Sequence, residues 1–194
     1  MKLLITGFDP FGGETINPAW EAVKGLPDRI GTWQVHKLQI PTVFGEAAQQ
    51  VQEYAGHHLP DVILCVGQAG GRAALTPERI AVNIRDAKIC DNKGNRPVGA
   101  FVVPDGPAAY FATVDVLALE AAIRNAGIAA QVSNSAGAFV CNDVLYSLLH
   151  HYSGTSTRVG FIHVPYLPQQ AKEGVPSMAL EDIVRGLSAA ITAL

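Results

Sequence analysis

Cys141 stands at the head of a helical stripe: Val140, Val144, Leu145, Leu148 and Leu149 repeat at the spacing of one buried helix face, so a helix should begin close to the thiol. A cysteine at a helix start faces backbone N–H groups that have no partner within the helix. Its pKa is expected there to fall from about 8.5 toward about 7 or below, and the same N–H groups can hold an oxyanion. The alternative is packing, because free cysteine is among the most buried residue types and behaves as a small hydrophobe. A nucleophilic thiol needs a base. Of the six histidines, His163 alone closes an apolar run just before a Pro-rich turn, where its side chain can lean toward a neighbouring strand end. His57-His58 and His150-His151 read as exposed helix ends, and His36 lies mid-strand. A lone strand histidine can equally be a satisfied core residue. A Cys–His pair also needs a third group to fix the imidazole tautomer and stabilise its charged form. Glu78, in Thr76-Pro77-Glu78-Arg79, reads either as that group or as a first-turn helix residue paired with Arg79.

The elements that must position these residues alternate along the chain. Residues 2–6 form a short apolar run ending in Gly7-Phe8-Asp9-Pro10-Phe11-Gly12-Gly13, after which Asn17-Pro18 opens a helix with Asn as cap. Residues 33–40 alternate like a strand, and Pro41-Thr42 leads into a helix with Val43, Phe44, Ala47, Ala48, Val51 and Tyr54 inside. Residues 61–66 are continuously apolar, as in a strand covered on both faces, and end at Gly67-Gln68-Ala69-Gly70-Gly71. Ile80, Val82 and Ile84 alternate as a half-buried strand before a polar loop or ribbon. A helix at 116–126, a strand at 129–133, the Cys141 helix, a strand at 159–164 and a last helix capped by Ser177 complete the order. The fold class is therefore α/β: a single three-layer α/β/α domain spanning 1–194, with a mainly parallel sheet that residues 80–84 make mixed. Ligands in such sheets bind at the carboxyl ends of strands, where the Gly7 and Gly67 loops, Cys141 and His163 would meet.

Composition narrows the function. The chain is 48% hydrophobic and 16% charged with a net charge of −3, and its basic residues are scattered, which argues against nucleic acid and membrane surfaces as partners. Cys65, Cys90 and Cys141 lack the spacing of a zinc site or a disulfide framework and suggest reduced thiols in a cytoplasmic protein. No metal is expected. Neither glycine loop matches a Walker or dinucleotide pattern, so no nucleotide cofactor is expected either. Phe8 and Phe11, three apart in a loop, are a corner of the core or a flat apolar slot suited to a small uncharged ring.

The segments Gly7-Phe8-Asp9-Pro10-Phe11-Gly12-Gly13-Glu14 with Asn17-Pro18, Gly67-Gln68-Ala69-Gly70-Gly71-Arg72, Pro77-Glu78-Arg79, Phe139-Val140-Cys141-Asn142 and Ile162-His163-Val164-Pro165-Tyr166-Leu167-Pro168 follow one another in the order of a known family. With them the chain resembles, nearly end to end, the pyroglutamyl peptidase I (pyrrolidone-carboxylate peptidase) family of cysteine exopeptidases. The resemblance implies removal of an N-terminal pyroglutamyl residue from peptides through a thioester. Cys141 would be the nucleophile, His163 the general base and Glu78 the residue orienting it, with no metal or cofactor and commonly a homotetramer. It also implies a ring slot of Phe8 and Phe11 lined by Ile89 and Val140, with Gln68 and Asn17 at the lactam edge. Where the family carries an active-site Arg, the aligned residue is Lys88, a possible oxyanion or loop support that keeps the charge without the bidentate fork. Asp143 would oppose thiolate formation if it faced Cys141, and helical spacing points it elsewhere. The rivals are a related Cys–His amidase or esterase on another small acyl group, and a non-enzymatic α/β domain with Cys141 as filler.

Overall fold

The computed structural model describes residues 1–194 and contains five helices and eight strands. Strands β1 (Lys2–Phe8), β3 (Trp33–Ile40), β4 (Val62–Gln68) and β8 (Arg158–Val164) are parallel. Two-residue antiparallel edges, β2 (Arg29–Ile30) and β5 (Thr76–Pro77), complete a six-stranded sheet in the order β2-β3-β1-β4-β8-β5. These edges make the sheet mixed, rather than residues 80–84. The latter contribute only β6 (Ile80–Val82), which pairs with β7 (Ala109–Phe111) in a separate ribbon. There Ala81, not Ile80 or Val82, is the buried residue.

The apolar runs of β1, β4 and β8 are covered on both faces, which is why they do not alternate. Helices α1 (Pro18–Gly25), α3 (Val116–Asn125) and α5 (Leu180–Thr192) cover one face. Helices α2 (Glu46–His58) and α4 (Val140–His151) cover the other, where Val144, Leu145 and Leu148 bury the stripe that follows Cys141. Three expectations shift. Val43 and Phe44 precede α2, which starts at Glu46 after Gly45 takes a left-handed φ of 75°. The α5 cap is Ala179 without a side-chain hydrogen bond, while Ser177 forms an isolated bridge with Tyr166. Residues 129–133 do not form a strand. Ala130 and Ser133 make single parallel bridges to Leu75 and Glu78, because β5 is too short to template a longer ladder.

The polar stretch after β6 is an arm pinned by the buried Asp91 carboxylate, which accepts from the backbone amides of Phe44, Lys93 and Asn95. No helix is long and apolar enough to cross a membrane. Gly7, near the end of β1, is required by a close approach, since a Cβ there would lie 2.7 Å from Trp20 Cα in the backbone of α1. Gly7→Ala is expected to cost about 1–3 kcal/mol, read as a melting temperature lower by about 2–12 °C. An unchanged melting temperature would mean that α1 can move aside freely.

Candidate active site

The parallel register brings the site residues to one rim. Gly67 lies opposite His163 at the carboxyl ends of β4 and β8, and Phe161, two residues earlier, faces the α4 side of the sheet. Gly67 is bare for a reason. A Cβ there would sit 2.7 Å from the Phe161 ring and 3.0 Å from Cys141 Sγ, so its absence makes the room that the thiol occupies. Cys141 is the second residue of α4, whose cap, Phe139, is extended and makes no side-chain hydrogen bond. Asp143 N is the first amide of this turn with a backbone acceptor, Phe139 O at 3.1 Å. The N–H groups of Val140, Cys141 and Asn142 are therefore free of backbone partners, as a helix start leaves them.

His163 and Glu78 are joined by a 2.7 Å hydrogen bond between Nδ1 and Oε1, with Glu78 wholly buried and His163 4% exposed. An ionised carboxylate only accepts, so Nδ1 carries the proton and Nε2 keeps the lone pair. The same Oε1 accepts from Arg72 Nη1 at 2.5 Å, while Arg72 Nη2 donates to Ser135 O at 3.1 Å. Glu78 thus pairs with Arg72 and His163, not with Arg79, and lies in no helix. Its second oxygen, Oε2, is buried without a hydrogen bond, the nearby Ser133 hydroxyl donating to Ser135 O instead.

Burial opposes the Glu78 charge, yet the hydrogen bond and charge of His163, with help from Arg72, hold its carboxyl below the usual range. Burial also drives His163 below its ordinary 6.5, Glu78 pushing back and Arg72 adding to the depression. The Cys141 thiol moves opposite to expectation. Burial and then the negative Glu78 push it up to about 12, against the weaker pull of Arg72 and its own backbone amide. The helix start and a cation are both present, but the dense packing around Sγ and the Glu78 charge outweigh them, even though the residue keeps some exposure to the cavity. Burial thus favours the neutral thiol and the neutral imidazole, which share no hydrogen bond, and the proton moves as attack begins.

Cys141, His163, Gln68, Arg72, Phe11 and Phe139 line one cavity of about 450 Å³, together with the Ser135-Ala136-Gly137 turn. Not every expected residue joins them. Phe8 is a corner of the core, 1% exposed with its ring 6.3 Å from Phe161. Phe11 pairs instead with Phe139, at 6.0 Å. Asn17 is occupied structurally: Oδ1 caps Ala19 N and Nδ2 donates to Asp9 O. Val140, the first residue of α4, has its side chain fully buried, so only its backbone can serve the site. Ile89 and the exposed Lys88 line an adjoining cleft that shares Phe139. The cation in the cavity is Arg72, not Lys88. Asp143 points away as expected, accepting from Arg85 Nε at 2.6 Å and Gly45 N at 2.8 Å. Sequence reasoning gave Arg72 no role, although it closes the Gly67 loop. It also missed Asn142, which bonds to Val82 N, Val82 O and Ile84 O and so clamps β6 to α4.

A family model described as "Pyroglutamyl peptidase" matches residues 1–194. A Levilactobacillus brevis protein named pyrrolidone-carboxylate peptidase is 54% identical, the match covering all of this chain and 97% of that protein. A Streptococcus suis protein of the same name is 50% identical over all of this chain and 92% of its own length. Among solved structures, Bacillus amyloliquefaciens pyroglutamyl peptidase I superposes with a TM-score of 0.94 at 46% identity, covering 97% of this chain and 94% of that one.

Two pH effects follow from the site. Alkylation of Cys141 by iodoacetamide should keep accelerating through pH 9, because the thiol is pushed up to about 12; a plateau near pH 7 would reveal a preformed thiolate. His163 and His36 both lie below 6.5 when folded, burial being the first cause in each, so the unfolded chain binds protons that the folded one refuses. Stability from this source is complete above about pH 6.5 and is lost as pH falls through the folded-state values. The urea midpoint should therefore be lower at pH 5.5 than at pH 7.5.

Proposed function

The chain belongs to the pyroglutamyl peptidase family, and from that membership we propose that it removes the N-terminal pyroglutamyl residue of peptides with Cys141 as nucleophile, His163 as general base and Glu78 as its orienting acid. The observation that carries the residue roles is the Nδ1–Oε1 bond of 2.7 Å, which leaves Nε2 as the free basic atom in a cavity shared with Cys141. Thiol and imidazole line the cavity that the substrate carbonyl enters. As Sγ attacks the carbonyl carbon of the pyroglutamyl residue, its proton passes to Nε2 and the carbonyl oxygen becomes an oxyanion. The partnerless N–H groups at the start of α4 are the donors available to that oxygen. Collapse breaks the C–N bond, and the imidazolium returns its proton to the departing amine, leaving a thioester. Water activated by Nε2 then attacks the thioester through a second oxyanion, releasing pyroglutamate and the thiol.

Specificity for a neutral ring fits the walls. Phe11 and Phe139 supply flat apolar surface and Gln68 supplies the polar edge. The Glu78 carboxylate is already matched by Arg72 and His163, so it is not available to the charged amine of an ordinary N-terminal residue, which would be desolvated without a partner. Assembly as a homotetramer belongs to the same proposal, supported by the exposed Val98, Phe101, Phe111 and Leu117; light scattering giving a monomer mass would remove it.

Hydrolysis of pyroglutamyl-, prolyl- and glutaminyl-anilides tests the assignment. Pyroglutamyl-anilide should be strongly preferred, Cys141→Ala should lose at least about 1,000-fold in kcat, and the acid limb of kcat/KM should lie below 6.5. Equal rates on the three anilides would instead indicate an amidase or esterase without a ring-specific site.

A further inference from the structure

Gln68 is the one side-chain amide lining the cavity, and an amide can present either of two opposite faces, a C=O acceptor or an NH2 donor. Which face it shows decides what the site reads. The answer lies one residue further out, in the turn after β8. Gln170 Oε1 accepts from Leu167 N at 3.2 Å, and its Nε2 donates to Ile16 O at 3.3 Å. Both partners are backbone groups of fixed polarity, so Gln170 cannot be turned over without losing both bonds. Its Nε2 therefore also faces Gln68, whose Oε1 accepts at 3.2 Å, with Glu14 Oε2 at 3.4 Å from the same nitrogen. With its oxygen taken, Gln68 has its NH2 left for the cavity.

We propose that Gln170 is a positioning residue that fixes the Gln68 amide donor-first, so that the site reads a carbonyl oxygen, the lactam C=O of the ring, and discriminates against rings that lack one. This rests on the pyroglutamyl reading above. A glutamine free to rotate would offer its oxygen to a proline ring nitrogen as readily as its NH2 to a lactam. Locked, it leaves a buried donor unpaired when prolyl substrates bind, and leaving a buried polar group unpaired is among the stronger ways a site rejects a near-isostere. The Gln170 amide does not line the cavity and acts only through Gln68.

Two variants separate orientation from mere support. Gln170→Met keeps the length and removes both polar atoms, which frees Gln68 to rotate. Gln170→Glu retains an acceptor for Leu167 N and turns a second acceptor toward Gln68, favouring the reversed amide. Kinetics on pyroglutamyl- and prolyl-anilide should show KM for the former raised about tenfold in Gln170→Met. In Gln170→Glu the preference for pyroglutamyl over prolyl should fall about 100-fold. In both, kcat should stay within about threefold and the acid limb of kcat/KM should not move. If Gln170→Glu does not fold, Gln170→Met decides alone. An unchanged KM and preference, or a fall in kcat with KM unmoved, in a protein whose wild type cleaves pyroglutamyl-anilide, overturns the role of Gln170 only. A wild type that does not cleave pyroglutamyl-anilide overturns the functional reading and this inference together.

Discussion

A carboxylate without water is the constraint on which the site depends. Glu78 is ionised yet wholly buried, and an isolated charge in that position would cost several kcal/mol. It is held there by two donors that share one oxygen, His163 on one side and Arg72 on the other. That sharing fixes more than the acid. It dictates the imidazole tautomer, ties the Gly67 loop to β5, and through Ser135 reaches the turn that leads into α4. Removing either donor would leave a buried charge half compensated, so the geometry around the thiol and the burial of Glu78 stand or fall together.

The rest of the architecture delivers these groups to one rim and keeps them there. Four parallel strands bring the Gly7 and Gly67 turns and His163 to the same end of the sheet, and the antiparallel β5 adds Glu78 from the edge. The irregular segments are secured by side chains rather than by ladders. Asn142 ties β6 to α4, Asp143 joins α4 to Arg85 and Gly45, and Asp91 gathers the arm around its carboxylate. Each of these is a buried polar group satisfied wholly or partly by backbone partners, with Arg85 and the Asn95 amide adding side-chain bonds to Asp143 and Asp91, and such groups hold segments whose sequence alone would not choose one conformation.

Legibility in the sequence followed periodicity. The buried strands and the α4 and α5 stripes were readable because apolar spacing is a direct record of burial on both faces or on one. The candidate residues Cys141, His163 and Glu78 were singled out through strand ends and ordered motifs, and the fold joins Glu78 to His163 and sets His163 and Cys141 in one cavity. What was not readable was decided by partners distant in the chain. The choice of Arg72 over Arg79 depends on how the Gly67 loop folds back over β5. The withdrawal of Phe8 into the core depends on Phe161, and the occupation of Asn17 by a cap depends on α1. The thiol pKa failed for a different reason. Helix position and charge can be read from sequence, whereas the depth at which a side chain loses water cannot, and here that depth dominates.

The bare start of α4 places function against durability. Every other consideration of helix chemistry would put Ser, Thr, Asp or Asn at position 139, where a side-chain oxygen would stabilise the first turn by about 1 kcal/mol. Phe139 forgoes this. In the proposed mechanism the oxyanion takes the same amides that a capping oxygen would reach for, so a residue that made the protein harder to melt would fill the site with an internal competitor. Attempts to thermostabilise this chain by conventional cap optimisation should therefore skip this one helix.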